Sequence, residues 1–218
     1  MFAGHLATAF VAKRVEPRIP LGVAVAASFG IDLLWPLFLL LGIESVRVSP
    51  GDTAFTSLAF ESYPWSHSLL AVTAWSLLAT TLGRWIFSSW RMAGVVGLLV
   101  ASHWLLDFVT HRPDLPLWPE GPLVGLGLWN SVPGTIILEG GFLAVALFLY
   151  LRRSCATDRI GLFGLAGLVG LVTLIWVSQP WAPPPPSAEA IAWVGLASVL
   201  LPLWAQWIDR HRHPRGAT

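Results

Sequence analysis

The segment Ser102–His111, reading SHWLLDFVTH, spaces His103, Asp107 and His111 at i, i+4 and i+8. On a helix these three side chains stack along one face. An imidazole and a carboxylate one turn apart can chelate a single cation, the spacing that helical zinc motifs use. The same pair also suits a hydrogen bond between two helices, so the metal reading depends on further ligands. Candidates stand in other apolar runs: His5 in GHLATAF, Asp32 in ASFGIDLLWP, His67 in SHSLL and Glu139 in ILEGG. An ionisable group inside hydrocarbon is costly unless paired, hydrated or metal-bound, which makes each a functional candidate. Nitrogen and oxygen ligands without a thiolate suit zinc, manganese or iron(II), with zinc the default and one or two ions the expected number. A carboxylate not fully committed to metal, Asp32 or Glu139, is the candidate catalytic proton acceptor. Ser66, Ser68, Ser102, Thr110 and Asn130 are candidate substrate-orienting donors, although Ser66 equally reads as a helix cap. His211 and His213 lie in a basic tail and read as solvated.

The elements that must position these residues are membrane helices. Of 218 residues 55% are hydrophobic, 11% are charged and 13 are Trp, and the mean hydropathy is +0.68. That composition excludes a water-soluble domain, a disordered chain and a disulfide-stapled fold. A net charge of +1 leaves no electrostatic footprint for nucleic acid, and the single Cys155 cannot form an internal bridge. Six runs approach the roughly 20 residues a bilayer requires: Leu21–Ile43, Ser66–Phe87, Met92–His111, Val132–Leu151, Ile160–Val177 and Ala190–Ile208. A seventh, Phe2–Ala12, is too short to span and reads as an interfacial or half-inserted helix. The expected fold is all-α, a polytopic membrane helical bundle of six transmembrane helices plus a short half-inserted N-terminal helix. It forms a single domain over 1–218, with a metal-site half at 1–130 and supporting helices at 131–218. Gly161, Gly164, Gly167 and Gly170 suit close helix packing.

Eleven of the 13 Lys and Arg residues fall in the N-terminal segment, the second and fourth connections and the tail; only Arg47 and Arg112 fall on the other side. The positive-inside bias therefore expects both termini in the cytoplasm of a bacterial-type inner membrane. Trp65, Trp118, Trp129 and Trp181 sit near outer boundaries and Trp85, Trp90 and Trp207 near inner ones, as an aromatic belt. At about 1.5 Å per residue, Asp32, His67, His103, Asp107 and Glu139 fall within about 7 Å of one another in depth, in the outer half of the membrane. His5 approaches the same pocket if the N-terminal helix dips inward.

GHLATAF, ASFGIDLLWP, SHSLL and HWLLDFVTH followed by LPLWP together resemble the YdjM-like inner-membrane proteins, a family of metal-dependent hydrolases. The resemblance covers roughly the first 120 residues, and that family is similar in turn to the zinc-dependent phospholipase C and nuclease superfamily. It implies that Asp32, His67, His103 and Asp107 hold one zinc and that Asp107 bridges to a second ion bound by His5. Tyr63, Pro64 and Trp65 stand where the family usually has an Arg before the second motif. The later HxxxE pair that completes a further zinc site in the soluble enzymes is absent, so His111 and Glu139 are the substitutes at hand.

These observations lead to a membrane-embedded hydrolase whose substrate is a membrane lipid or lipid-linked phosphate ester reached from the outer leaflet; the phosphate preference comes from the resemblance alone. The segment LPLWPEGP is the expected lid. The alternative is a metal-ion or proton transporter using the same residues as a relay. Against it stand the single level of the polar groups and the absence of visible repeats or broken helix pairs. A purely structural metal is a third reading. Oligomeric state is not legible.

Overall fold

The N-terminal run is apolar on every side, with no polar face to give to water, and the fold uses it accordingly. In the computed structural model, which describes residues 1–215, it is helix α1 (Phe2–Val15), with Ala3, Gly4, His5, Leu6, Ala7, Ala9, Phe10 and Ala12 all buried. A helix lying in a membrane interface keeps one face wet. Helix α1 instead sits inside the bundle, packed against α2 (Leu21–Ser28), α6 (Trp90–Thr110), α7 (Val132–Leu151) and α8 (Arg159–Ser178). The short run that reads as interfacial or half-inserted is thus enclosed by other helices, which is incompatible with the interfacial reading.

The first long run is not one helix. It breaks into α2 and α3 (Gly30–Leu40), bent by 51°, with Phe29 at φ −93° and ψ 3° between them. This corrects the expectation that broken helices are absent, and the break lies beside Asp32. The second run also starts differently: Pro64–His67 forms a separate turn, α4, and α5 (Leu69–Phe87) begins after Ser68, whose Oγ accepts from the Ala71 N–H. The last run divides into α9 (Ala188–Ala197) and α10 (Leu200–Asp209). Five helical segments are long and apolar enough to cross a membrane, or six if the bent α2–α3 pair counts as one span.

The connections are not purely irregular, as an all-α reading expects. Strands β1 (Ser45–Val48) and β2 (Leu58–Ser62) pair antiparallel in the first connection. Strands β3 (Leu115–Pro116) and β4 (Leu123–Val124) form a ribbon after α6. The expected lid segment is therefore tied down: Leu70 N–H donates to Leu117 O and Leu115 is buried. At the opposite end β5 (Ser154–Ala156) pairs with β6 (Arg212–Pro214), clamping the tail beneath α8. There Lys13 bonds Asp209 at 2.9 Å, and Glu16 joins Arg18 (2.8 Å) to Arg91 (3.0 Å).

Small residues set the closest approaches. A Cβ on Gly161 would stand 2.0 Å from the His211 carbonyl oxygen, and one on Gly164 or Gly167 would press against Ile208 or Trp204 of α10. Gly170 faces open space. Gly161→Ala is therefore expected to cost about 1–3 kcal/mol through overpacking against backbone, and Gly170→Ala to be neutral or slightly stabilising through helix propensity. Apparent thermal midpoints of the two variants in detergent check this; equal midpoints would remove the packing role of Gly161.

Candidate metal centre

Three helices and a turn deliver one residue each, or two, to a common point. Helix α1 brings His5, α3 brings Asp32 just past the bend, α4 brings His67, and α6 brings His103 and Asp107. His103 Nε2 stands 3.1 Å from Asp107 Oδ2 and 3.6 Å from Asp32 Oδ1. His67 Nε2 stands 3.6 Å from Asp32 Oδ1 and 3.9 Å from Asp107 Oδ2. His5 Nε2 lies 3.3 Å from Asp107 Oδ1 and 3.8 Å from Asp32 Oδ2, and its ring stacks on that of His103 with centroids 3.8 Å apart. The Met1 amine nitrogen also reaches Asp107 Oδ1. Two overlapping groups, His5–His103–Asp107 and Asp32–His67–His103, have ligand atoms close enough to hold a metal ion. The three imidazoles and Asp107 are buried. Asp32 keeps 31% of its side chain exposed, so the cluster opens on that carboxylate.

Outer contacts decide which nitrogen of His103 and of His67 faces the cluster, whereas neither ring nitrogen of His5 has a hydrogen-bond partner among the described residues. The bend at Phe29 takes the Ser28 carbonyl out of the helical ladder, and that oxygen accepts from His103 Nδ1–H at 3.0 Å. A carbonyl can only accept, so Nδ1 carries a proton, and in the neutral imidazole that can ligate a metal Nε2 presents the lone pair. His67 is set in two steps. Glu44 Oε1 accepts the Trp65 and Ser66 backbone N–H groups at 2.7 and 2.8 Å, and its Oε2 accepts from Ser66 Oγ at 2.6 Å. With its single proton given to a carboxylate, Ser66 Oγ must accept from His67 Nδ1–H, 2.7 Å away. His67 Nε2 is thereby also left as a lone pair towards Asp32.

Lone pairs and carboxylate oxygens thus converge, and His5 Nε2 and His103 Nε2 are buried with no hydrogen-bond partner among the described residues. That pattern fits a divalent cation. Nitrogen and carboxylate ligands whose far nitrogens are held by a carbonyl or by a hydroxyl–carboxylate pair form the usual surroundings of zinc-binding histidines.

Two residues expected at the metal lie outside both groups. His111 caps the C-terminus of α6 with φ −64° and ψ 144°, so the i, i+4, i+8 stack ends at Asp107. Its Nδ1 lies 3.0 Å from Asp114 Oδ1, which also accepts from Tyr63 Oη. Glu139 accepts the Ala3 N–H at 3.2 Å, capping the first turn of α1, and its Oε1 has no partner among the described residues. Of the orienting candidates, Ser66 supports His67. Ser68 caps α5, Ser102 and Thr110 bond carbonyls of their own helix, and Asn130 is exposed on a turn. Sequence reasoning passed over Glu44, which touches no ligand directly and stands 22 residues from Ser66; nothing in its spacing marks it.

Ser66→Ala is expected to weaken retention of a bound divalent ion by roughly 10–100-fold, the usual cost of losing such an outer contact, while Asn130→Ala leaves it unchanged. Competition with a graded chelator reads both; equal retention by Ser66→Ala and the parent protein would sever the Glu44–Ser66–His67 link from metal binding. Compared with known proteins, the chain matches no family model, no curated protein and no solved structure, so the cluster itself carries the functional argument.

Proposed function

We propose that this protein is a membrane-embedded, metal-dependent hydrolase, with zinc as the ion and a lipid-linked or amphiphilic phosphate ester as the substrate. One observation carries the reading: three imidazoles and two carboxylates converge in an apolar bundle, and the only part-exposed member is Asp32. A structural ion has no need of an opening, whereas a catalytic one keeps a side accessible. His5, Asp32, His67, His103 and Asp107 are the residues that would hold the metal, in the two overlapping groups. Asp32 stands where a substrate enters and is placed to accept a proton there, with the unpartnered oxygen of Glu139 as a second candidate acceptor. A bound divalent ion supplies charge stabilisation at a phosphoryl oxygen and activation of water near neutral pH. The phosphate ester, like the hydrolase class, draws its support from the resemblance to YdjM-like proteins. The basic ends of α1, α7 and α10 support a cytoplasmic side at that end, and that orientation favours a cluster towards the outer leaflet of an inner membrane.

The bend between α2 and α3 favours a second reading. Discontinuous helices whose freed carbonyls face a polar site are a feature of ion transporters, and the Ser28 carbonyl is such a group. It here orients His103 and does not face the ion position, so the hydrolase remains the better supported.

Elemental analysis of the detergent-purified protein is expected to find about one to two zinc-like ions per chain. His103→Ala and Asp107→Ala each lose most of that metal; His211→Ala and His213→Ala keep it. Unchanged metal in the first pair would overturn the metal centre. Against phospholipids, lipid pyrophosphates and chromogenic phosphodiesters, Asp32→Asn is expected to lower turnover by about 10²–10⁴-fold with folding intact. Metal uptake into proteoliposomes without turnover of any substrate would replace the hydrolase by the transporter.

A further inference from the structure

At the end of the bundle opposite the metal cluster, a cavity of about 220 Å³ lies between the last turns of α1, α7 and α10 and the β5–β6 ribbon. Lys13, Arg14, Arg153, Arg212 and Arg215 line it against one carboxylate, Asp209. Some of this charge is committed internally. Lys13 bonds Asp209 and the Ile19 carbonyl, both at 2.9 Å. Arg212 donates to Ser154 and to the Gly161 carbonyl and lies over the Tyr150 ring. Arg14, Arg153 and Arg215 make no ion pair among the described residues, Arg215 donating only to Cys155 Sγ at 3.1 Å, so the lining holds more positive charge than Asp209 offsets.

The level of the cavity bears on its occupant. Trp85, Trp90 and Trp207 are exposed at this same end, and tryptophan collects where bilayer meets water. A basic cavity at headgroup height faces the phosphates of anionic lipids, whose surface potential attracts such clusters. Guanidinium forks match the paired oxygens of a phosphodiester. The cavity is a single pit and the chain carries a net charge of only +1, so an extended polyanion finds no track to follow.

We propose that this cavity is a binding site for a phosphodiester anion presented by the membrane, the headgroup of an anionic phospholipid in the leaflet on this side. The bound lipid bridges the ends of α1 and α7 and the C-terminal ribbon, and its role is independent of whatever chemistry the metal cluster performs.

The test uses the full chain in nonionic detergent, titrated with short-chain phosphatidylglycerol, short-chain phosphatidylcholine or inorganic phosphate at matched ionic strength, with the thermal midpoint as readout. Phosphatidylglycerol is expected to raise the midpoint saturably, and the other two to do so weakly or not at all. In Arg14→Gln/Arg153→Gln the apparent affinity falls roughly thirtyfold, about fivefold for each cation removed. Arg152→Gln/Arg159→Gln makes the same charge change outside the cavity and keeps the parent affinity. Should the first double variant fail to fold, Arg153→Gln alone, on an exposed turn, carries the fivefold effect. Equal loss in both double variants would mean diffuse surface charge and would overturn the site. Equal stabilisation by phosphatidylcholine, or by inorganic phosphate, would overturn the lipid headgroup as its ligand.

Discussion

Putting imidazoles and carboxylates into a bundle of apolar helices imposes a cost that the surrounding chain must offset, and much of this structure can be understood as that offset. A buried polar atom without a partner costs about 1–3 kcal/mol, and a charge inside hydrocarbon costs more. Here five such residues meet within hydrogen-bonding or near-contact range. Each needs the others or a cation at their centre, and none can be satisfied from its own helix alone, the i, i+4 pair of α6 excepted. Helix α1 must therefore lie inside the bundle to bring His5 to α6, and α3 must turn away from α2 to bring Asp32 to the same point.

The second layer of contacts explains two features that carry no chemistry themselves. The bend at Phe29 frees a carbonyl, which is costly inside an apolar bundle unless something donates to it; His103 does so and is oriented in return. Glu44 is buried on the connection between α3 and α4 and would be equally costly, but it caps the α4 turn and fixes Ser66, which fixes His67. In both places a backbone irregularity and a buried acceptor are satisfied by the group that needs holding.

The two ends of the bundle are built on different principles. On the side of the cluster, the β3–β4 connection bonds to α5 and α6 and the β1–β2 connection bonds to Trp129 through Phe55 N–H, with Phe55, Leu115 and Trp129 buried. On the other side, ion pairs of Glu16 and Asp209 and the β5–β6 ribbon gather the helix ends. The first arrangement covers the polar cluster, and the second gathers cations at the far end of the bundle.

The membrane class, the apolar runs and the ligand types were legible from composition and periodicity, because burial in lipid demands long uninterrupted hydrophobicity and makes each polar exception conspicuous. His5, Asp32, His67, His103 and Asp107 stood out in this way, and counting helical rise gave the expectation that Asp32, His67, His103, Asp107 and Glu139 share a common depth. His111 and Glu139 stood out equally, yet lie apart from the two ligand groups. Facing depends on where a helix stops and which neighbour it meets, and His111 falls one residue beyond the end of α6. The break between α2 and α3, the enclosed position of α1 and the part played by Glu44 were decided only by tertiary structure. Each arises from contacts between segments remote in the chain, and a hydrophobic pattern records how much surface is buried without recording against what.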